Sequence, residues 1–585
     1  MAVRRQVRAT GSLGENSPLL GEQTRSPDRD DGSSETVTEA QRRASEEELE
    51  DSDKANQHFG RLRAVLIMFS LWGLIFLQAS NMSGITTTQS RIAEDLDAFA
   101  EASWFTSTYL IAMSSCSPLA AKLAEIFSPR NCVFAASILF AVGDVITSQA
   151  HTLLVFLLGR AIQGIASAGI MTTSYILVLE LSGKKKRGLF IGLVNTGFTT
   201  GVSFGAVIAG ALLPRFLFWI QSPLAIAFGT GIYFSIPGTF TSGHQEDEEV
   251  SAFRKLGQVD YLGATTLTTT LCLFLYGLSS PVIVWTPIAA SVLLLVAFVL
   301  FELYLVSEPI IPVTVLKSRG ALLSCVAQLG IMAARWMVLF YTPAYAIAVR
   351  GWSPASAGSI LIPTNLGFAI GGICAGGLHI RRAGSFWLPS LVSYLLFSCT
   401  LATLSQITNP GTPTALFVLN VFANGLCTGA ALNYTLAHLL HLTPPSTHFI
   451  STSLITTFRG FAGSFGSAIG GGLFVRVLKS KLETGFAEHG GLEGKEDLVR
   501  RLLGSPALVQ ALTGLDQRVA VAGYVGALRN LFVAGAGLAL AMVLVQAATG
   551  WEGPGSVGKA GGAEEAGQVI GVVDEEWEER MEQGV

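Results

Sequence analysis

Apolar residues in this chain fall in long blocks. They do not alternate as in a half-buried strand, nor follow the three-and-four spacing of a surface helix. Crossing a hydrocarbon layer takes about 20 mostly apolar residues as a helix. Blocks of that size occur near 64–83, 103–122, 131–149, 152–172, 189–211, 217–236, 261–279, 283–305, 321–341, 355–378, 386–406, 414–438, 449–475 and 525–546, which makes fourteen. Backbone inside a bilayer must satisfy its own hydrogen bonds, so each block predicts a helix. The pattern predicts an all-α polytopic membrane protein. The first block is interrupted by Asn81 and the polar run from Ser83 to Ser90, and the sixth follows a very short link at Leu213–Arg215.

Composition agrees with the blocks. Half of the 585 residues are hydrophobic and 14% are charged, against roughly a quarter charged in a soluble domain. The charges gather in the two ends and a few loops. Segments 1–58 and 547–585 have no apolar period and predict disordered tails. The first apolar run begins only near Ala64, which argues against a cleaved signal peptide. A net charge of −4 gives no reason to expect a nucleic-acid partner. The seven cysteines lie in apolar stretches with no CxxC, so they read as small buried hydrophobes; no metal and no cofactor is expected. No Walker, HExxH or GxSxG pattern occurs, and no enzyme is predicted.

Loop charge gives an orientation. Alternate loops carry Lys122 and Arg130, then Lys184–Arg187, Arg254 and Lys255, Lys317 and Arg319, and Arg381 and Arg382, while the N-terminal segment adds Arg61 and Arg63. Cytoplasmic loops carry the Lys and Arg excess, so both termini are predicted to face the cytosol. The long loop 477–522 departs from this pattern, and long loops cross regardless of charge. Its stretch Gly494–Leu503 reads as a surface amphipathic helix. In the N-terminal tail, Glu15, Leu19 and Leu20 form an ExxxLL sequence of the kind sorting adaptors read, which points to a vacuolar membrane, with the plasma membrane as the alternative.

Ionisable residues inside spans are costly and functional by default. Asp144 in the third span and Arg160 in the fourth are the leading pair. A mid-membrane Asp suits a proton carrier because burial penalises its charged form, and Arg stays charged throughout. Arg335 and Arg459 lie in the ninth and thirteenth spans. Glycines recur in the fifth span at Gly192, Gly201, Gly205 and Gly210; small residues let membrane helices approach closely.

Three stretches carry a family resemblance. Leu158-Gly159-Arg160, followed by Gln163-Gly164, resembles the span-four motif of the major facilitator superfamily. Gly192, Gly201, Gly205 and Gly210 fit the spacing of its span-five antiporter motif, with Ala206 where the family has Pro and Ala209 where it has Gly. Ala121–Arg130 resembles a divergent form of the loop motif between spans two and three, with Ala121 and Ser128 in place of Gly and Glu125 in place of Asp. The span count, with Asp260–Gly263 opening span seven, resembles the fourteen-span drug:proton antiporters, including fungal multidrug and vacuolar basic amino acid transporters.

The resemblance implies two six-helix bundles, 59–237 and 321–546, with a linker and two extra spans at 238–320. It implies a monomeric antiporter exchanging protons for small drugs or amino acids in the lipid bilayer. Asp144 and Arg160 would couple protons. Glu125, Arg130, Glu180 and Arg187 would form a cytoplasmic latch, and the span-five glycines a conformational seam. Asn81, Gln163, Arg335, Tyr341, Asn365, Asn433 and Arg459 would line the substrate cavity. Asn81 stands where the family carries an Asp, and the link at Leu213–Arg215 is shorter than the family's. These departures leave two alternatives: a non-transporting membrane sensor or scaffold, and a siderophore-type exporter.

Overall fold

The computed structural model describes residues 61–181, 187–212, 214–236, 260–280, 282–304, 318–380, 386–443, 448–488 and 494–550. The sorting sequence at Glu15, Leu19 and Leu20 and the predicted disordered tails lie outside these residues, apart from the few at 547–550. Among the described residues fourteen long helical segments succeed one another. They are α1 (Arg61–Asp95), α2 (Trp104–Phe127), α3 (Pro129–Ser148), α4 (Leu153–Leu181), α5 (Arg187–Ala211), α6 (Pro214–Ser235), α7 (Tyr261–Ser279), α8 (Trp285–Tyr304), α9 (Arg319–Ala348), α10 (Leu361–Ile373), α11 (Trp387–Ile407), α12 (Thr414–Leu442), α13 (His448–Glu488) and α14 (Gly514–Ala547). A short turn of helix, Pro354–Gly358, precedes α10, and a π-helical turn, Cys374–His379, ends it. By length and composition thirteen of the fourteen can cross a membrane. The exception, α2, carries the serine pair Ser114 and Ser115 and packs between α4, α7 and α13.

The polar run after Asn81 does not break α1, which continues through it to Asp95. Its hydroxyls satisfy themselves within the helix: Thr86 donates to Ser83 O at 2.7 Å and Thr88 to Gly84 O at 3.0 Å. The short link between α5 and α6 costs neither helix its length, since α5 runs to Ala211 and α6 resumes at Pro214. Between α2 and α3 the chain reverses at Ser128, whose φ of 75° is a conformation that favours glycine. Asp260 caps α7 by accepting from Gly263 N at 2.7 Å.

Helices α1 to α6 pack on one another through the pairs α1–α5, α1–α6, α2–α4, α3–α4 and α3–α6. A second set joins α9, α13, α14, α11, α12 and α10. The pair α7–α8 sits beside α2 and α13 through α7. α8 turns outward: only 17% of its most apolar stretch is buried, and Leu293, Val296 and Leu300 are exposed. An apolar exposed face of this kind suits lipid. The predicted loop 477–522 is mostly structured. α13 and α14 extend into it, and between them lie a helix at Glu496–Gly504, with Val499, Leu502 and Leu503 buried, and a 3₁₀ turn at Pro506–Ala511.

Candidate functional site

Asp144 and Arg160 are both fully buried, yet two amides stand between them. Asn81 Nδ2 donates to Asp144 Oδ1 at 2.9 Å, and Gln163 Nε2 donates to the same oxygen at 2.6 Å. The carbonyl ends of both amides accept from Arg160 Nη1, Gln163 Oε1 at 2.7 Å and Asn81 Oδ1 in close contact. Each amide thus turns its dipole from the cation towards the acid. Arg160 is fixed further by Nε donating to Phe105 O at 2.9 Å and by stacking of the guanidinium on the Tyr109 ring, 4.5 Å from its centroid. Tyr109 in turn donates to Ser167 Oγ at 2.7 Å. Asn81 also donates to Gln221 Oε1 on α6 at 2.8 Å.

Two atoms of the cluster, Asp144 Oδ2 and Arg160 Nη2, have no hydrogen-bond partner among the described residues. An unsatisfied carboxylate oxygen in such a place is costly, and a proton on it removes the buried charge. The neighbouring glycines bring the helices close enough for these bonds. Any side chain at Gly143 would meet Gln163 N at 2.9 Å, so α3 and α4 touch where Asp144 and Gln163 meet.

A cavity of about 890 Å³ lies between α5, α10, α12 and α13, towards the end of the bundle where α5 begins. Asn365, Asn433 and Arg459 line it. Asn81 and Gln163 do not; both are buried in the Asp144–Arg160 cluster. Arg335 is buried behind the wall, where Nη2 donates to the lining Asn365 Oδ1 at 2.9 Å and the guanidinium stacks on the lining Phe368. Tyr341 packs on Phe474, away from the lining. The sequence reading missed Gln328, Ser203 and the threonines Thr199 and Thr200 of this wall, and Gln221 in the cluster. Gln221 and Gln328 carry a signal that could have found them, each an amide inside an apolar run, of α6 and α9.

The opposite end is closed. Gly210 of α5 abuts Pro354 and Ala355, where an added Cβ would lie 2.5 Å from backbone, and Gly358 abuts Ala206. Gly201 and Gly205 face Phe76, Ala79 and Ser80 of α1, so of these three only Gly210 meets the second helix set. Gly192 lies in α5, but its surroundings are outside the description. At the same end Arg500 donates to Asp97 at 2.6 Å, tying the Glu496–Gly504 helix to the loop after α1. Arg130, named for a latch, donates to Ile236 O at 2.7 Å and stacks on Tyr233. The side chains of Glu125, Glu180 and Arg187 lie outside the described set.

Comparison with known proteins fits this architecture. The family model of the Major Facilitator Superfamily matches residues 71–467. The multidrug resistance protein fnx1 of Schizosaccharomyces pombe is 24% identical over 473 residues, covering 78% of this chain and 87% of that protein. The vacuolar membrane amino acid uptake transporter fnx2 of the same yeast is 26% identical over 435 residues, covering 70% and 71%. The MFS efflux transporter aclA of Aspergillus oryzae is 27% identical over 436 residues, covering 72% and 78%. Among solved structures, a bacterial homologue of the human lysosomal transporter Spinster, in an inward-facing and occupied conformation, has a similar fold. Its TM-score is 0.55 at 15% identity, over 84% of this chain and 97% of that one. With fourteen long helices among the described residues and a family match that runs through both helix sets, this chain is a membrane transporter and not an enzyme, and it belongs to the major facilitator superfamily.

Proposed function

We propose that the chain is a proton-coupled antiporter of small organic molecules, with Asp144 as the titrating acid. The observation that carries this is the cluster in which Asp144 Oδ1 is held by Asn81 and Gln163 while Oδ2 has no partner. When Asp144 loses its proton, the two amides transmit the new charge to Arg160, which both of them already hold. Protonation weakens that pull. Asn81 sits next to Ser80, against which Gly205 of α5 packs, and α5 lines the cavity through Thr199, Thr200 and Ser203. A change of charge at Asp144 therefore has a short mechanical route to the wall that cargo touches. The closed end and the open cavity correspond to one end state of alternating access.

Loop charge supports placing the cavity mouth, both termini and the Arg130 region in the cytosol. Glu125, Arg130, Glu180 and Arg187 would then act there as the latch. The ExxxLL sequence and the similarity to the vacuolar membrane transporter fnx2 support a vacuolar membrane. The intact α5 and α6 on either side of the short link favour a working carrier over a sensor or scaffold. The test is uptake into proteoliposomes with an imposed pH gradient, across a panel of drugs and amino acids. Uptake that follows the gradient, and loses that dependence in Asp144→Asn, supports the reading. Cargo that moves independently of the gradient, or no movement for the whole panel, overturns it.

A further inference from the structure

The charge lining the cavity is one-sided. Among its 21 lining residues Arg459 is the only charged one, and no Asp or Glu is present. Arg459 is half-buried and has no ion-pair or hydrogen-bond partner among the described residues. A second cation, Arg335, stands just behind the wall. It is 3% exposed, it is joined to the lining through Asn365 and Phe368, and its Nη1 has no hydrogen-bond partner among the described residues. Neutral donors and acceptors complete the wall: Asn433, Gln328, Thr200 and Ser203. Asn195, Thr196, Thr199 and Thr456 add further neutral polar groups, and Phe204, Leu366, Phe368 and Leu432 make up much of the apolar part. Along the sequence, α5 is preceded by Lys184, Lys185 and Lys186 and begins at Arg187, all cations.

A low-dielectric cleft lined by one sign of charge focuses that potential and concentrates the opposite charge. Burying a cationic ligand against this wall would leave two like charges uncompensated, which costs more than any neutral contact returns. A ligand with one carboxylate and an apolar body matches both parts: Arg459 takes the carboxylate in a two-pronged hydrogen bond, and the phenylalanines and leucines take the body. We infer that the cargo of this cavity is a small organic anion, a carboxylate on an apolar or aromatic frame, with Arg459 as its charge-selecting residue. This rests on the transporter reading above and narrows its cargo.

The full-length chain in lipid nanodiscs tests it with three matched probes at neutral pH: naphthylacetate, its methyl ester, and naphthylmethylamine. Titration calorimetry reads the affinities. A charge-assisted contact is worth about tenfold to a hundredfold in affinity, and naphthylacetate is expected to exceed the ester and the amine by that margin. Arg459→Ala brings it down to the level of the ester, and Arg459→Lys keeps part of the preference. Asn433→Asp adds a carboxylate to the wall and tips the preference towards the amine, a gain that misfolding cannot imitate. Equal or tighter binding of the amine to the unaltered chain overturns the inference. So does an anion preference that survives Arg459→Ala, or the absence of binding by all three probes. Counterflow in proteoliposomes separates the two readings. If the amine is moved in place of the anion, the anion inference falls and transport stands. If the anion binds but is not moved, transport falls and the charge selection stands.

Discussion

Asn81 and Asn433 are the same side chain in the same kind of apolar sequence, and the structure gives them opposite circumstances. Asn81 is fully buried and makes three side-chain bonds, to Asp144, Gln221 and Arg160. Asn433 lines the cavity and makes one, from Nδ2 to Gly429 O at 2.9 Å. Truncating each to Ala removes the same atoms. A bond to a charged group is worth about 1.5–3 kcal/mol, and a buried group left unsatisfied adds a penalty of its own. Gln163 still serves both Arg160 and Asp144 after Asn81→Ala, so the low end applies to each charged bond. With the loss at Gln221, worth about 0.5–1.5 kcal/mol, Asn81→Ala should cost about 3.5–4.5 kcal/mol. Asn433→Ala gives up one bond to a carbonyl already inside α12 and should cost less than about 1 kcal/mol. Thermal unfolding of the detergent-purified chain, followed by tryptophan fluorescence, should place Asn81→Ala several degrees below Asn433→Ala. In transport assays the order reverses for cargo affinity: Asn433→Ala weakens it and leaves stability near that of the unaltered chain. Equal melting temperatures, or a lower one for Asn433→Ala, would refute the assignment of Asn81 to the buried cluster.

Other substitutions probe other contacts. A side chain at Gly205 would collide with Ser80 of α1, so Gly205→Val should cost about 1–3 kcal/mol or more and cut the yield of monodisperse protein on size exclusion. Gly460→Ala, with nothing within 4 Å, should leave that yield unchanged. Ser128 pays for a φ of 75° with a side chain, and Ser128→Gly should raise the melting temperature by the equivalent of about 1–2 kcal/mol. Arg500 and Asp97 form an exposed pair that water screens, so Arg500→Ala should raise the reactivity of a cysteine placed at Ser90 by no more than about fivefold. A change of a hundredfold would mean that this pair holds the closed end by itself.

Much of the fold can be read in the hydrophobic blocks, because bilayer thickness and backbone hydrogen bonding leave one solution for a long apolar run. The blocks mislead where a helix goes on past its apolar part. The threonines of α1 look like a break, yet each can donate to its own helix, and α13 continues into what composition presents as a loop. Asp144 and Arg160 stand out in the sequence because charge is rare in such blocks. What links them is not visible there. Asn81 lies 63 residues from Asp144 and 79 from Arg160, and nothing in an apolar run tells which of its amides faces a neighbouring helix and which faces a cavity. Asn365, Asn433 and Arg459 meet at one cavity for the same kind of reason, through the packing of α10, α12 and α13.

In the proposed mechanism the proton that drives cargo resides on Asp144. The most direct measurement is proton release and uptake by purified chain in proteoliposomes, with a pH-sensitive dye inside, on adding cargo to the unaltered chain and to Asp144→Asn. Cargo-dependent proton movement is expected in the first and none in the second, while equilibrium binding of cargo persists in both. Cargo-dependent proton movement that survives Asp144→Asn would contradict it.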